Sequence, residues 1–157
     1  MENPAPNVAS IDMSDFVTIS EDMLFEKAKT IFEYSLHSEQ ISKFRKMMTI
    51  EQFRSSEIAE LHTSRYVTRV INYHTNIFNN LLKIKKINNI DSKTLAFTYV
   101  SPILVLIGIC DRQPEKEKEC LDRLEKHVRL FYQIFNNLGG KNNEKNAYTN
   151  IRSFRSY

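Results

Sequence analysis

Residues 95–135 read LAFTYVSPILVLIGICDRQPEKEKECLDRLEKHVRLFYQIF, and this stretch decides the fold of the chain. Its first half, residues 95–110, is apolar on nearly every face, which predicts a helix that is buried all round. Its second half is charged but carries one apolar seam with alternating spacings of three and four residues, which is typical of two helices that pack almost parallel. The seam consists of Leu121, Leu124, Val128, Phe131 and Phe135.

The two halves are joined by a turn that contains Pro114. Proline suits the first turn of a helix because its missing N–H would have no partner there, and the glutamates that follow suit the positive end of the helix dipole. The stretch therefore predicts a helical hairpin. Because one hairpin cannot bury both an all-round apolar helix and the seam, we expect a second copy to complete an intersubunit four-helix bundle. A core within one chain is the alternative for the seam.

The composition of the 157-residue chain is that of a soluble helical protein. Hydrophobic residues make up 41% and charged residues 26%, which is ordinary for a globular domain. The three glycines and four prolines are too few for a turn-rich β fold, so we predict an all-α fold. The helical domain is expected to span residues 19–138, between a flexible leader at 1–18 and a flexible basic tail at 139–157.

The periodicity of apolar residues divides this domain into five helices. The third helix is the longest of the first four, running from about residue 57 to about residue 86, and the fifth is expected to end near Leu138. Thr18, Ser56 and Asp91 are placed to cap the first, third and fourth helices.

Charge and targeting signals favour a cytoplasmic protein. The net charge of +3 is too small to indicate a nucleic-acid surface, and the N-terminal MENPAPNVAS lacks the basic and apolar segments of a signal peptide. Residues 94–110 are at the short limit for a membrane span and contain Pro102, so we expect no membrane partner. Cys110 and Cys120 are expected to be reduced thiols, with a disulfide across the turn as the alternative.

Motifs for catalysis, metals and cofactors are missing from the sequence. It contains no glycine-rich phosphate loop, no HExxH and no GxSxG. The four histidines, His37, His62, His74 and His127, include no pair three or four residues apart that would present a metal site on one helix. We therefore predict no catalytic residues, no metal and no cofactor, and a protein that is not an enzyme.

Polar side chains on the apolar face of the third helix point instead to a ligand pocket. His62 and His74 fall on that face beside tyrosines, and hydrogen-bonding groups with aromatic walls are typical of small-molecule sites. The alternative is a core in which histidines and tyrosines satisfy each other, with Met47 as core filler. Similarly, a kink at Pro102 could open space for a ligand or only fit the helix to its neighbours. The predicted pocket residues are Phe32, Met47, His62, Tyr66, Tyr73, His74 and Phe97.

Four pieces of the chain resemble the C-terminal half of TetR-family transcription regulators. They are FRKMMTIEQFR at residues 44–54, SPI at 101–103, CDRQPE at 110–115 and LEKHV at 124–128 together with Phe131. The resemblance runs from about residue 20 to residue 135. It implies a five-helix domain whose last two helices form the homodimer interface, while the preceding helices enclose a pocket for a small-molecule effector.

The DNA-binding part of that family is not found in these residues. TetR-like regulators read DNA with a separate helix-turn-helix domain, and residues 1–18 are too short to form it. We expect DNA binding only through a domain absent from this chain, which is either a fragment or a regulator-like protein without a reading domain. The predicted function is an effector-binding and dimerisation domain for a largely apolar ligand, and the alternative is a ligand-free helical dimerisation or protein-interaction module.

Overall fold

The computed structural model describes residues 19–138, and over this range it is all-α, as predicted, with no strand. One π-helical turn, Thr63–Thr68, interrupts the third helical rod. A 3-10 turn, Pro114–Lys116, precedes the last helix. The helices are α1 (Glu21–His37), α2 (Glu39–Glu51), α3 (Ser56–His62), α4 (Arg69–Ile84), α5 (Ser92–Arg112) and α6 (Glu117–Leu138).

The long third helix of the prediction is a rod made of α3, the π turn and α4. Its backbone stays helical from residue 56 to residue 84, so the described domain contains five helical rods, as the sequence predicts. The rod ends at Lys86, whose φ of 55° lies in the left-handed region. The π turn was not predicted, because an apolar pattern of threes and fours does not distinguish one wide turn from a regular helix.

Two of the predicted helix caps are shifted. Ser20 Oγ accepts a hydrogen bond from the Met23 N–H at 3.2 Å, whereas Thr18 lies outside the described residues. Ser55, with φ −140° and ψ 125°, caps α3 in place of Ser56, because an N-cap needs an extended backbone and Ser56 is already helical. Asp91 caps α5 as predicted, and its Oδ2 accepts from the Thr94 N–H at 2.7 Å.

The α5–α6 hairpin is present, but its seam faces the interior of the same chain. The seam phenylalanines pack in an aromatic cluster, with the ring centroids of Phe131 and Tyr99 4.8 Å apart and those of Phe131 and Phe78 5.4 Å apart. Four seam residues are at most 8% exposed in the single chain, so the assignment of the seam to an intersubunit contact is corrected to an intrachain core. The exposures are 0% for Leu124, 0% for Val128, 7% for Phe131 and 8% for Phe135, and Leu121 packs partly buried against them.

The N-terminal helix explains why the seam is closed. α1 packs along α6, and α5 packs against α6 from another side. Arg129 of α6 reaches the first turn of α1, with Nη1 3.2 Å from Glu21 Oε1 and 2.8 Å from Asp22 Oδ1. The hydroxyl of Tyr132 donates to the Ile19 carbonyl at 3.1 Å. These contacts hold α1 as the cover that the hairpin was expected to obtain from a second subunit.

The opposite face of the hairpin is apolar and uncovered, so the prediction that α5 is buried all round is wrong for the single chain. We call this surface the outer face and define it by four exposed side chains. An open groove of about 700 Å³ runs along it, and its lining includes Val105 and Leu130. The outer-face residues are Phe97 (57% exposed), Val105 (60%), Leu130 (57%) and Ile134 (52%).

In the part of the chain that the structure describes, α5 is the one helix whose length and composition would also permit a membrane span. Its mean hydropathy reaches 1.7, and 33% of that window is buried by the rest of the chain. Core helices of water-soluble proteins share this length and composition, so these two properties are weak evidence for a membrane span.

Candidate ligand pocket

A cavity of about 340 Å³ lies between α1, α2, the rod and α5. This volume is within the range of small-molecule sites, which extends from about 300 to about 1,000 Å³. Most of the wall is aliphatic, with a few polar groups gathered toward the end of α5. The aliphatic wall includes Ile31, Val67, Val70, Val100, Ile103 and Ile107.

Three of the seven predicted pocket residues line this cavity, namely His62, Tyr66 and His74. Tyr73 instead lines a smaller neighbouring cavity of about 100 Å³. Phe32 is fully buried in the core at 0% exposure and lines neither cavity.

The other two predicted pocket residues face outward. Met47 is 51% exposed while its neighbour Met48 is 2% exposed, because successive residues on a helix are turned by about 100° and only one of the pair can face inward. Phe97 belongs to the outer face, whereas Tyr99 and Val100, two and three residues later, face the interior. Both assignments to the pocket are corrected.

A buried ion pair that sequence reasoning missed closes one end of the cavity. The side chain of Arg45 is 9% exposed and that of Asp111 is 13% exposed. Arg45 Nε and Nη2 donate to the two Asp111 oxygens at 2.6 and 2.7 Å, which is the strong bidentate geometry. Nη1 donates to the Ser35 carbonyl at 2.8 Å and so satisfies one of the free carbonyls at the end of α1.

A local signal for the burial of Arg45 was present in the sequence. Ile41 precedes Arg45 by four residues and Met48 follows it by three, so the arginine lies on the same helical stripe as the apolar residues. The partner Asp111 could not be identified from sequence, because it is 66 residues away.

His74 lies between the two cavities and offers one ring nitrogen, Nε2, as a hydrogen-bond acceptor. Its Nδ1 lies 2.9 Å from the Val70 carbonyl, and since a carbonyl only accepts, Nδ1 carries the proton. Burial lowers the pKa of His74, against the opposing effect of this hydrogen bond, so the ring is neutral at pH 7 with its Nε2 lone pair available. The ring packs against Tyr99 at 5.3 Å, and the two side chains line both cavities.

Tyr66 and His62 form the polar wall near the ion pair. Their ring centroids are 5.4 Å apart. Burial raises the pKa of Tyr66, so its hydroxyl remains a donor at neutral pH. The Thr49 hydroxyl donates to the Arg45 carbonyl at 2.8 Å and lies 3.4 Å from His62 Nε2. Tyr66 is part of the π turn, a feature that is frequent at functional sites.

Pro102 connects this wall of the cavity to the outer face. Proline has no N–H to donate and disturbs the backbone bonds one turn earlier in its helix. In that turn, the Tyr99 carbonyl accepts a hydrogen bond from His127 Nε2 of α6 at 2.8 Å. His127 also lines the groove of the outer face, so Tyr99 touches the cavity with its ring and α6 with its backbone.

The described residues contain two further kinds of polar group, metal-ligating side chains and thiols. Within residues 19–138, no three metal-ligating side chains lie close enough to hold an ion. Cys110 and Cys120 are buried free thiols, and burial together with the neighbouring Cys120 thiol raises the pKa of Cys110 to about 12.

Neither a protein-family model, nor a curated protein, nor a solved structure matches this chain. The interpretation of the cavity therefore depends on its own residues and geometry.

Proposed function

We propose that the chain is the effector-binding and dimerisation domain of a TetR-type transcription regulator. The observation that carries this proposal is the cavity of about 340 Å³, which has a largely aliphatic wall and a few polar groups at one end. A ligand of mainly apolar character would enter among the first four helical rods. It would bind one arrangement of the helices better than another and shift that equilibrium.

The path from the cavity to the rest of the molecule runs through α5. A ligand that displaces the ring of Tyr99 also moves the carbonyl that accepts from His127 of α6. Sliding of α5 against α6 would then change the outer face. In a protein that carries a helix-turn-helix domain, this change would alter the spacing of the two reading domains on DNA.

The outer face is the surface that we propose for homodimerisation, in place of the seam. Its exposed residues recur every four positions or multiples of four along each helix, Phe97 and Val105 on α5 and Leu130 and Ile134 on α6. Two antiparallel hairpins that bring these stripes together form a four-helix bundle around a two-fold axis. The rim of the groove carries both Glu119 and basic side chains, which permits ion pairs between copies.

The pocket is tested by calorimetric titration with a neutral apolar probe, 1-nonanol. Ile103→Phe places a larger side chain in the cavity wall and should abolish binding. Val105→Phe makes a comparable change on the outer face, two residues later in the same helix, and should leave binding intact. Equal binding by both variants, or binding of neither 1-nonanol nor its anionic counterpart nonanoate by the unchanged chain, would contradict a preformed pocket.

Dimerisation is tested by sedimentation of two glutamate variants of α6. Ile134→Glu places a charge on the outer face and should give folded monomers. Phe131→Glu places a charge in the aromatic cluster and should unfold the chain, because an unpaired buried charge is strongly destabilising. If the Ile134→Glu protein were folded and still dimeric, the assignment of the outer face to the homodimer interface would be wrong.

The second candidate function is a ligand-free helical dimerisation or protein-interaction module. The apolar outer face supports it independently of the cavity, because exposed apolar patches mark interaction surfaces. A dimer that is sensitive to Ile134→Glu and binds neither 1-nonanol nor nonanoate would favour this alternative.

A further inference from the structure

The charges at one end of the cavity indicate which ligands it would select. We infer that the cavity binds a monoanionic amphiphile, an unbranched carboxylic acid of medium chain length, with its acid group near Arg112 and its chain along α5. This inference deepens the proposed function and depends on the cavity being a ligand pocket.

The cavity is long, and the charged side chains that line it, Arg45, Asp111 and Arg112, lie at one end. Its α5 wall runs from Tyr99 to Arg112, a distance of about 20 Å along the helix axis. The middle of this wall is aliphatic, with Ile103 and Ile107 lining it. The cavity volume equals that of about eleven water molecules at liquid density, which is enough room for one medium-length chain.

Arg112 is the cation at this end that is not already neutralised. The guanidinium of Arg45 donates three of its five N–H groups to the two Asp111 oxygens and the Ser35 carbonyl, and its charge is paired with that of Asp111. Arg112 also lines the cavity and is exposed, and it makes no ion pair with any other residue in the described range.

The Arg112 guanidinium lies close to Gly108. A Cβ built on Gly108 would lie 3.5 Å from Arg112 Nη1 and 3.8 Å from Nη2. The guanidinium therefore lies over the backbone of Gly108, one turn earlier in α5, where no side chain intervenes. Both residues line the cavity. A donor fork in this place can bind a carboxylate with two parallel hydrogen bonds.

The electrostatic balance at this end favours an anion, although two effects oppose it. Asp111 contributes one negative charge, and the C-terminal end of α5 contributes about half of one. Of the residues that line the cavity, Arg45 and Arg112 contribute two positive charges, and Lys46, outside the lining, has its Nζ 3.9 Å from Asp111 Oδ1. Tyr66 adds a protonated hydroxyl as a donor. Positive charge therefore prevails where the acid group would lie.

The test compares nonanoate with 1-nonanol in calorimetric titrations of the full chain. The two probes share their apolar chain and differ in charge, so the ratio of their dissociation constants isolates the contribution of the acid group. We expect nonanoate to bind more tightly. Arg112→Gln should weaken nonanoate about fivefold, as for a partly exposed ion pair, and leave 1-nonanol unchanged.

Arg123→Gln is the matched control, because it removes one positive charge from the groove of the outer face instead of the cavity. It should change neither dissociation constant. Equal loss of nonanoate binding in the two variants would show a general charge effect and overturn the inference.

The outcomes separate this inference from the proposed function. Tight binding of 1-nonanol together with weak or absent binding of nonanoate would overturn the anionic ligand and keep the pocket. Binding of neither probe would overturn both. Nonanoate binding that survives Arg112→Gln unchanged, but is lost in Ile103→Phe, would show that the chain is bound and that Arg112 does not hold the acid group.

Discussion

Removal of either partner of the Arg45–Asp111 ion pair should be among the most destabilising single changes in the domain. Both side chains are nearly buried, at 9% and 13% exposure. Breaking a buried pair leaves an uncompensated charge and costs about 3–5 kcal/mol. Small domains have about 5–15 kcal/mol of total stability, so one substitution would remove a large part of it.

Substitutions of the two partners should lower the free energy of unfolding by different amounts. Asp111→Asn leaves the Arg45 guanidinium buried with one charge and only the Ser35 carbonyl as a strong acceptor. Arg45→Met leaves Asp111 with Lys46, whose Nζ is already 3.9 Å away and whose side chain is 45% exposed and free to approach. Asp111→Asn should therefore lie at the upper end of the range and Arg45→Met at the lower end. Replacing both by apolar residues should restore most of the loss.

Urea and thermal unfolding followed by circular dichroism measure this prediction. A loss of about 3–5 kcal/mol corresponds to a decrease in Tm of roughly 10–15 °C for a chain of this size. Glu39→Gln is the control, because it breaks the exposed Lys43–Glu39 pair on α2, whose side chains are 76% and 77% exposed, and it should leave Tm nearly unchanged. If Asp111→Asn had no larger effect than Glu39→Gln, the buried pair would not be a structural contact in solution.

Three further predictions concern buried and partly buried polar groups. Burial lowers the pKa of His74 below 6.5, so the unfolded state takes up the proton first as the pH decreases. The free energy of unfolding should be at its full value above about pH 6.5 and should fall toward the folded-state pKa by at most about 1.4 kcal/mol per pH unit. In urea titrations at several pH values, His74→Gln should reduce this slope. Cys110 and Cys120 are both buried, and the pKa of Cys110 is raised to about 12. Iodoacetamide should therefore label neither thiol in the folded protein at about pH 8. In urea it should label both thiols, and mass spectrometry measures the labelling. His127→Phe removes the donor to the Tyr99 carbonyl and should lower the free energy of unfolding by about 1–3 kcal/mol in urea titrations. An unchanged urea midpoint would indicate that water replaces the ring as the donor.

The hairpin shows how far periodicity can lead. The apolar pattern of residues 95–135 predicted two helices and the turn at Pro114, which are present, and four of the five predicted seam residues of α6 are buried. Leu121 is only partly buried, and Cys120, which is buried, was not predicted. Spacing identifies the side of a helix that avoids water, because that side repeats with the helical period. It does not identify the partner that covers this side, and here the partner is α1 of the same chain.

The pocket illustrates the same limit for a site. His62, Tyr66 and His74 could be predicted because they are polar residues on an apolar stripe, and the structure places them on one cavity. The bidentate contact of Arg45 with Asp111 was not predictable, since it joins residues 66 positions apart. Met47 and Phe97 were misplaced because a single helix with two apolar sides gives no indication of which side faces the interior.

The sequence alone determined the all-α class, the number of helical rods, the hairpin and the stripe of α6 that is buried, because each of these depends on residues close together in the chain. Only the tertiary structure decided that the seam is covered by α1, that the outer face is the apolar surface left open, and that an ion pair closes the cavity. These features depend on which distant elements meet, and local spacing carries no information about that choice.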